Sequence, residues 1–184
     1  MPDDAVRSPV FARTPDVDPW GEIDPSGDGL SVHNFLTTWM SLVSNGLRRT
    51  LTTAYVESSG LSVSEWRLLS LIAHAGSVPF GELVLESTSD KALVSRTLKP
   101  LEARGLIRIE AEGRPPRRKV TCHITPEGAR LHADIIPLAR QQQAAMLLSL
   151  SIEERRVLRA ALEKLHEGCL ALELGRKRNP FQWD

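Results

Sequence analysis

Apolar positions recur along this chain at two periods, and the change from one to the other divides it. From Ser31 onward, Phe35, Leu36, Trp39, Met40, Val43, Leu47, Leu51 and Ala54 follow at three- and four-residue steps, the pattern of a helix with one apolar face. The spacing predicts a helix from about Val32 to Glu57, stopping before Gly60. Such a helix, about 26 residues long, exceeds the usual globular length, and its narrow stripe suits packing along another subunit. Ser62 and Glu65 have the spacing of a capping box, in which each side chain bonds the other's backbone N–H. Trp66, Leu69, Ile72 and Ala75 mark the inner face of the helix they start, and Gly76 closes it. The stretch PFGELVLEST predicts a short third helix with Pro79 in its first turn. A fourth starts at Ser89 or Asp90, either able to cap, and ends before Gly105.

The period then falls to two. Ile107, Ile109 and Ala111 alternate with Arg108, Glu110 and Glu112, and Val120, Cys122 and Ile124 alternate with Thr121, His123 and Thr125. Two such runs around the turn-forming EGRPPRRK stretch predict a β-hairpin with an exposed tip. Thr125-Pro126 opens another helix, a capping residue followed by proline at the first helical position, which continues through Leu131, Ile135, Leu138 and Met146, with a kink expected at Pro137. Ser151 and Glu154 repeat the capping box, and Val157, Leu158, Ala161, Leu162, Leu165, Cys169 and Leu172 line one stripe of a last helix. The fold class predicted is mainly α with a small β-hairpin.

Composition narrows the class. Apolar content of 41% and charged content of 25% are those of an ordinary soluble domain. No apolar stretch is long enough for a membrane span, and the N-terminus lacks the pattern of a secretory signal, so a cytoplasmic location is expected. Cys122 and Cys169 stand too far apart for a disulfide framework or a zinc motif, and both are expected to be buried, reduced thiols. Residues 1–30 hold five prolines and three glycines with no apolar period, which reads as an extended N-terminal arm; Val10, Phe11, Trp20 and Ile23 in it could dock on a partner subunit. The 23 basic and 23 acidic residues cancel in sum but not in place. Residues 1–30 carry seven acids against two bases, whereas Lys91 to Lys119 carries nine bases against three acids. Segregated charge is a statement about partners.

At 100° per residue the fourth helix turns Val94, Leu98 and Leu101 to one side, and Ala92, Ser95, Arg96 and Lys99 to the other. The second face is small, hydroxylated or cationic, with no acid until Glu102. Small residues permit close approach, while Ser, Arg and Lys can bond base edges and phosphates. A short helix before it and a basic hairpin after it complete a winged helix-turn-helix, in which the helix enters the major groove and the hairpin follows the backbone or minor groove. The expected DNA-contacting residues are Lys91, Ala92, Ser95, Arg96 and Lys99 on the helix, and Arg114, Arg117, Arg118 and Lys119 on the wing. The alternative is a winged-helix protein-interaction module whose basic wing meets an acidic protein. No paired carboxylates, metal-ligand cluster, nucleophile elbow or phosphate loop is present in the sequence, so neither an enzyme nor a bound cofactor or metal is expected.

The run LSVSEWRLLSLIAHAG, followed by DKALVSRTLKPLEARGLIRIE and RRKVTCHITPEGARL, resembles the MarR family of bacterial transcription regulators over about residues 30–172. The most specific stretches are Val94-Ser95-Arg96, Leu101 to Ile107 and Ile124 to Gly128. The resemblance implies a homodimer joined through the first and last two helices, a palindromic double-stranded operator, and release by a small aromatic acid, phenol or related thioester. It divides the chain into the arm (1–30), a helical dimerisation region (31–59 and 126–175), a winged helix-turn-helix (60–125) and a C-terminal tail (176–184). It also implies an effector pocket near the first two helices, where Trp39 and Trp66 could form flat walls and His33, Arg48, Arg67 and His74 could receive a carboxylate or phenol. Packing alone also accounts for both tryptophans, which lie on their helices' apolar stripes. Three departures from the family pattern stand out. Pro116 replaces an acid that would brace Arg118, so that Pro115-Pro116 would stiffen the tip instead; Pro100 interrupts the hydrogen bonding of the fourth helix; and Ser87 replaces an apolar residue, which predicts looser packing of the third helix.

Overall fold

Short polar side chains set most of the helix starts. The computed structural model describes residues 18–87, 89–113 and 119–178. Helix α3, Val63–Ala75, begins with the expected reciprocal pair: Glu65 N–H donates to Ser62 Oγ (3.2 Å) and Ser62 N–H donates to Glu65 Oε2 (2.6 Å). Gly76, at φ 76°, ends it in a conformation that a side chain would strain. Helix α4 is Phe80–Ser87. Helix α5, Lys91–Ala103, is capped by Asp90, whose Oδ1 accepts from Leu93 N–H at 2.8 Å. It closes in a Schellman motif: Leu106 N–H donates to Leu101 O (3.0 Å), and Gly105 N–H, at φ 69°, donates to Glu102 O (2.8 Å). Both Leu101 and Leu106 are buried beneath that turn. Helix α6 is Pro126–Leu148 and α7 is Ile152–Arg178. The second capping box is also present, with Ser151 N–H donating to Glu154 Oε2 (2.7 Å) and Glu154 N–H to Ser151 Oγ (3.2 Å).

Several expectations are corrected. The sheet has three strands, not two: β1 (Ser77–Pro79), β2 (Ile107–Glu112) and β3 (Lys119–Ile124), in the order β1-β3-β2 and antiparallel throughout. Pro79 therefore belongs to a strand, opposite Thr121, and not to the first turn of α4. Long-range pairing with β3 overrides the local helix-start signal there. Pro100 and Pro137 lie inside helices that continue past them. Ser87 is fully buried, and its hydroxyl is satisfied by Val84 O at 3.2 Å within the same helix, so it does not leave the unpartnered polar group that would loosen α4.

The chain forms two compact units, one ending at Ala54 and the other beginning at Tyr55. In the first, the described residues 18–30 run through successive turns rather than an extended arm. Asp18 Oδ1 accepts from Trp20 N–H (3.0 Å) and Asp24 Oδ1 from Ser26 N–H (2.8 Å), the side-chain-closed turns that aspartate favours. Trp20 Nε1–H donates to Asn34 O at 2.7 Å, and its ring meets Trp39 edge-on at 6.4 Å. The predicted single long helix is instead a series: a 3-10 turn (Val32–Asn34), α1 (Leu36–Leu47), a π stretch (Arg48–Thr52), α2 (Thr53–Val56) and a 3-10 turn (Glu57–Ser59). At the π stretch, the hydroxyls of Thr50 and Thr53 donate to Gly46 O (2.9 Å) and Arg48 O (3.0 Å), competing with amides for those carbonyls.

In the second unit, Leu69, Ile72, Leu83, Val94, Leu98, Leu101, Ile107 and Cys122 form the most deeply buried core. Each aliphatic side chain there contributes roughly 1.5–3 kcal/mol of transfer free energy. Helix α6 is locked to the base of the hairpin by its first residues. Thr125 caps it, accepting from Gly128 N–H (3.0 Å), while donating through Oγ1 to Gly105 O (2.7 Å) and Leu106 O (3.0 Å). Gly128 is buried, and a Cβ on it would lie 1.9 Å from Leu106 O. A glycine is needed there for close approach, because the backbones of the helix and the α5–β2 turn nearly touch.

Candidate nucleic-acid interface

The two faces of α5 separate as the periodicity predicts. Val94, Thr97, Leu98 and Leu101 are buried, while Lys91, Ala92, Ser95, Arg96 and Lys99 are exposed together. Thr97 Oγ1 donates to Leu93 O at 2.9 Å, so the one polar residue on the inner face is satisfied. The first turn of α5 carries no acid. Lys119, at the start of β3, is exposed and faces the same cleft as Lys91, Ser95 and Lys99. This cleft measures about 850 Å³ and also takes Phe80, Leu98, Ile109 and Thr121 as walls. The remaining predicted wing residues, Arg114, Arg117 and Arg118, and the Pro115-Pro116 pair lie outside the described residues.

Two cations of the basic stretch have structural partners. Arg104 donates through Nη1 to Gly60 O (2.9 Å) and through Nη2 to Ser59 O (3.2 Å), and so ties the end of α5 to the turn before α3. Arg108 pairs with Glu110 at 2.7 Å on the exposed hairpin face. His123 Nε2 also approaches Glu110, at 3.1 Å, without the angle of a directed hydrogen bond. Among the described residues of this stretch, Lys91, Arg96 and Lys99 on the outer face of α5 and Lys119 present positive charge without such partners.

The predicted effector residues divide between the two units. In the first, His33 is exposed, Trp39 is 40% exposed beside Trp20, and Arg48 Nη2 donates to Asn45 Oδ1 at 3.2 Å. In the second, Arg67 and His74 are exposed, whereas Trp66 is buried. Trp66 meets Tyr55 edge-on at 5.9 Å and stacks on His132 at 5.4 Å and 18°. Burial, then the positive charges of Arg140 and His74, hold the His132 imidazole below its ordinary pKa. His132 escaped the sequence reading, although its spacing gave a signal: Gly128, His132, Ile135 and Ala139 fall at steps of four, three and four on the inner stripe of α6.

Of the two cysteines, Cys122 is buried as expected and Cys169 is not. Cys122 is fully buried, and burial, followed by the nearby Glu102 carboxylate, pushes its thiol up to about 11. Cys169 is exposed, because the apolar stripe of α7 on which it lies is not covered by the described residues. Val157 is 68% exposed on that stripe and Leu158 is 42% exposed. Among the described residues there is no cluster of His, Cys, Asp or Glu able to hold a metal ion, and no helix long and apolar enough to cross a membrane.

Comparison with known proteins agrees with this geometry. Residues 59–118 match the model of the MarR family. The chain is 26% identical over 129 residues to the HTH-type transcriptional regulator YdgJ of Bacillus subtilis, covering 70% of this chain and 77% of that protein. Its fold resembles S. aureus MepR in a DNA complex, with a TM-score of 0.64 and 18% identity over 73% of this chain and 98% of the other. It also resembles Bordetella bronchiseptica BpsR, whose DNA binding is regulated by 6-hydroxynicotinic acid, with a TM-score of 0.55 and 24% identity over 68% and 98% of the two chains. The winged helix of this chain is thus similar to that of the MarR family, and its fold to that of solved MarR-family regulators.

Proposed function

We propose that this chain is a cytoplasmic repressor that binds a palindromic operator as a homodimer and leaves it on binding a small aromatic acid, phenol or related thioester. The observation that carries the reading is the outer face of α5. Lys91, Ala92, Ser95, Arg96 and Lys99 are exposed together, and Lys119 lines one cleft with Lys91, Ser95 and Lys99. Such a helix fits the major groove, with Arg96 able to bond a guanine edge in two places and the lysines to meet phosphates. In the sequence, Arg114, Arg117 and Arg118 add three cations just before Lys119. Two-fold pairing of the chain would present two such helices to a site of matching symmetry.

The dimer reading is supported by apolar surface that a monomer would leave in water. Val157, Leu158, Leu162 and Leu165 on α7, and Phe35, Trp39 and Met40 in the first unit, are each about two-fifths exposed or more; exposed apolar patches of this kind mark association surfaces. The effector reading is supported by BpsR, which responds to an aromatic acid. Each unit taken by itself holds candidates for a carboxylate or phenol: His33 and Arg48 with Trp39 in the first, Arg67 and His74 with Trp66 in the second.

Selection from a random duplex pool, followed by gel shift, tests the DNA reading. Wild type enriches a two-fold symmetric sequence, and Arg96→Ala loses about 1–3 kcal/mol on it and relaxes its preference. Lys119→Ala weakens all duplexes alike and lowers the salt slope by about one. Failure to enrich any sequence would leave the fold as a protein-interaction module. Thermal-shift screening with aromatic acids and their thioesters tests the effector, since a ligand of the folded state raises the melting temperature.

A further inference from the structure

Glu102 is the first acid met along the cationic helix, and it lines the same cleft as Lys91, Lys99 and Lys119. A carboxylate so placed repels phosphate, so its presence on a DNA-facing cleft calls for another role. Its Oε1 accepts from the backbone N–H of Ile109 at 3.1 Å. Ile109 lies on β2, an outer strand that pairs only with β3, where it sits opposite Cys122. The bond therefore joins the last turn of α5 to the open edge of the hairpin, across the tight turn at Gly105.

We infer that Glu102 is a positioning residue for DNA recognition, which holds the hairpin at a fixed angle to α5 through the Ile109 amide. This rests on the DNA-binding reading above. A recognition helix and a wing gain from binding one duplex only when both reach it at once, so a loosened hairpin keeps its cations but loses their joint registration. Arg104 secures α5 to the turn before α3 on the other side, leaving Glu102 as the side-chain bond between α5 and β2.

Three variants of the full-length protein separate bond from charge. Glu102→Gln removes the charge but keeps an acceptor; Glu102→Ala removes both; Glu102→Asp keeps the charge but shortens the reach. Each is titrated with a duplex enriched by wild type from a random pool and with an unselected duplex, while melting temperature and Ile109 amide exchange by NMR are followed. Glu102→Gln and Glu102→Ala should bind the unselected duplex equally. On the enriched duplex, Glu102→Ala and Glu102→Asp should bind about tenfold more weakly than Glu102→Gln. Exchange at Ile109 should quicken in Glu102→Ala and Glu102→Asp alone, with the melting temperature lowered by no more than about 2–4 °C. Equal binding of the enriched duplex by Gln and Ala variants overturns the inference and leaves the DNA reading intact. Absence of any enriched duplex for wild type removes both.

Discussion

Gly128→Ala is a single added methyl group with a calculable cost. The new Cβ would stand 1.9 Å from Leu106 O and 2.8 Å from Ile124 Cδ1. The isoleucine methyl can rotate away, but the carbonyl belongs to backbone. It also accepts from Thr125 N–H (3.2 Å) and Thr125 Oγ1 (3.0 Å), so moving it strains both bonds. Overpacking of this kind costs about 1–3 kcal/mol, and each hydrogen bond lost adds about 1 kcal/mol. Alanine's better helix propensity returns about 1 kcal/mol. The net expectation is a loss of about 2–4 kcal/mol, or a fall in melting temperature of roughly 5–15 °C for a chain of this size. Urea titration followed by circular dichroism measures it at fixed protein concentration. Gly168→Ala in α7, where the added Cβ meets nothing within 4 Å, serves as the control and should gain up to about 1 kcal/mol. If Gly128→Ala were as stable as wild type, the close approach of α6 to the α5–β2 turn would be refuted.

His132 binds a proton less readily in the folded chain than in the unfolded one, so stability should fall as pH drops below its ordinary value of 6.5; urea midpoints at pH 7.5 and 5.5 should differ less in His132→Gln. Cys122 shifts the other way: the folded chain holds its proton up to about pH 11 against 9.0 for the free thiol, so stability should decline as pH rises across that window, and less in Cys122→Ala. At neutral pH a thiol reagent should label the exposed Cys169 and spare Cys122 until unfolding, as read by mass spectrometry. Asp90→Ala should cost about 1 kcal/mol by uncapping α5, measured by denaturation.

Features decided within a few residues were legible in the sequence. The paired caps Ser62/Glu65 and Ser151/Glu154, the Thr125-Pro126 start and the Gly105 stop are closed by neighbours, so spacing alone located them. The two faces of α5 followed from its period. What required a distant partner was not legible. Strand β1 is three residues long and owes its existence to β3. The π stretch depends on which carbonyls Thr50 and Thr53 capture. Arg104 read as one more cation until its bonds to Ser59 and Gly60 were placed. Gly128 stood in a quoted motif, but only the proximity of Leu106 O gives its reason. The residues proposed for the effector belong to two units, and the sequence offers no constraint joining Trp39 or Arg48 to Trp66.

Pro79 has a consequence beyond the end of β1. A sheet ordered β1-β3-β2 has two outer strands, and an outer strand is ordinarily an invitation to further strands. One side here is only three residues long and finishes in a residue with no amide hydrogen to offer. On the other side, the Ile109 amide is already taken by Glu102. Both margins are thereby poorer templates for another strand than a long free edge would be, which counts against fibre-like growth of the sheet.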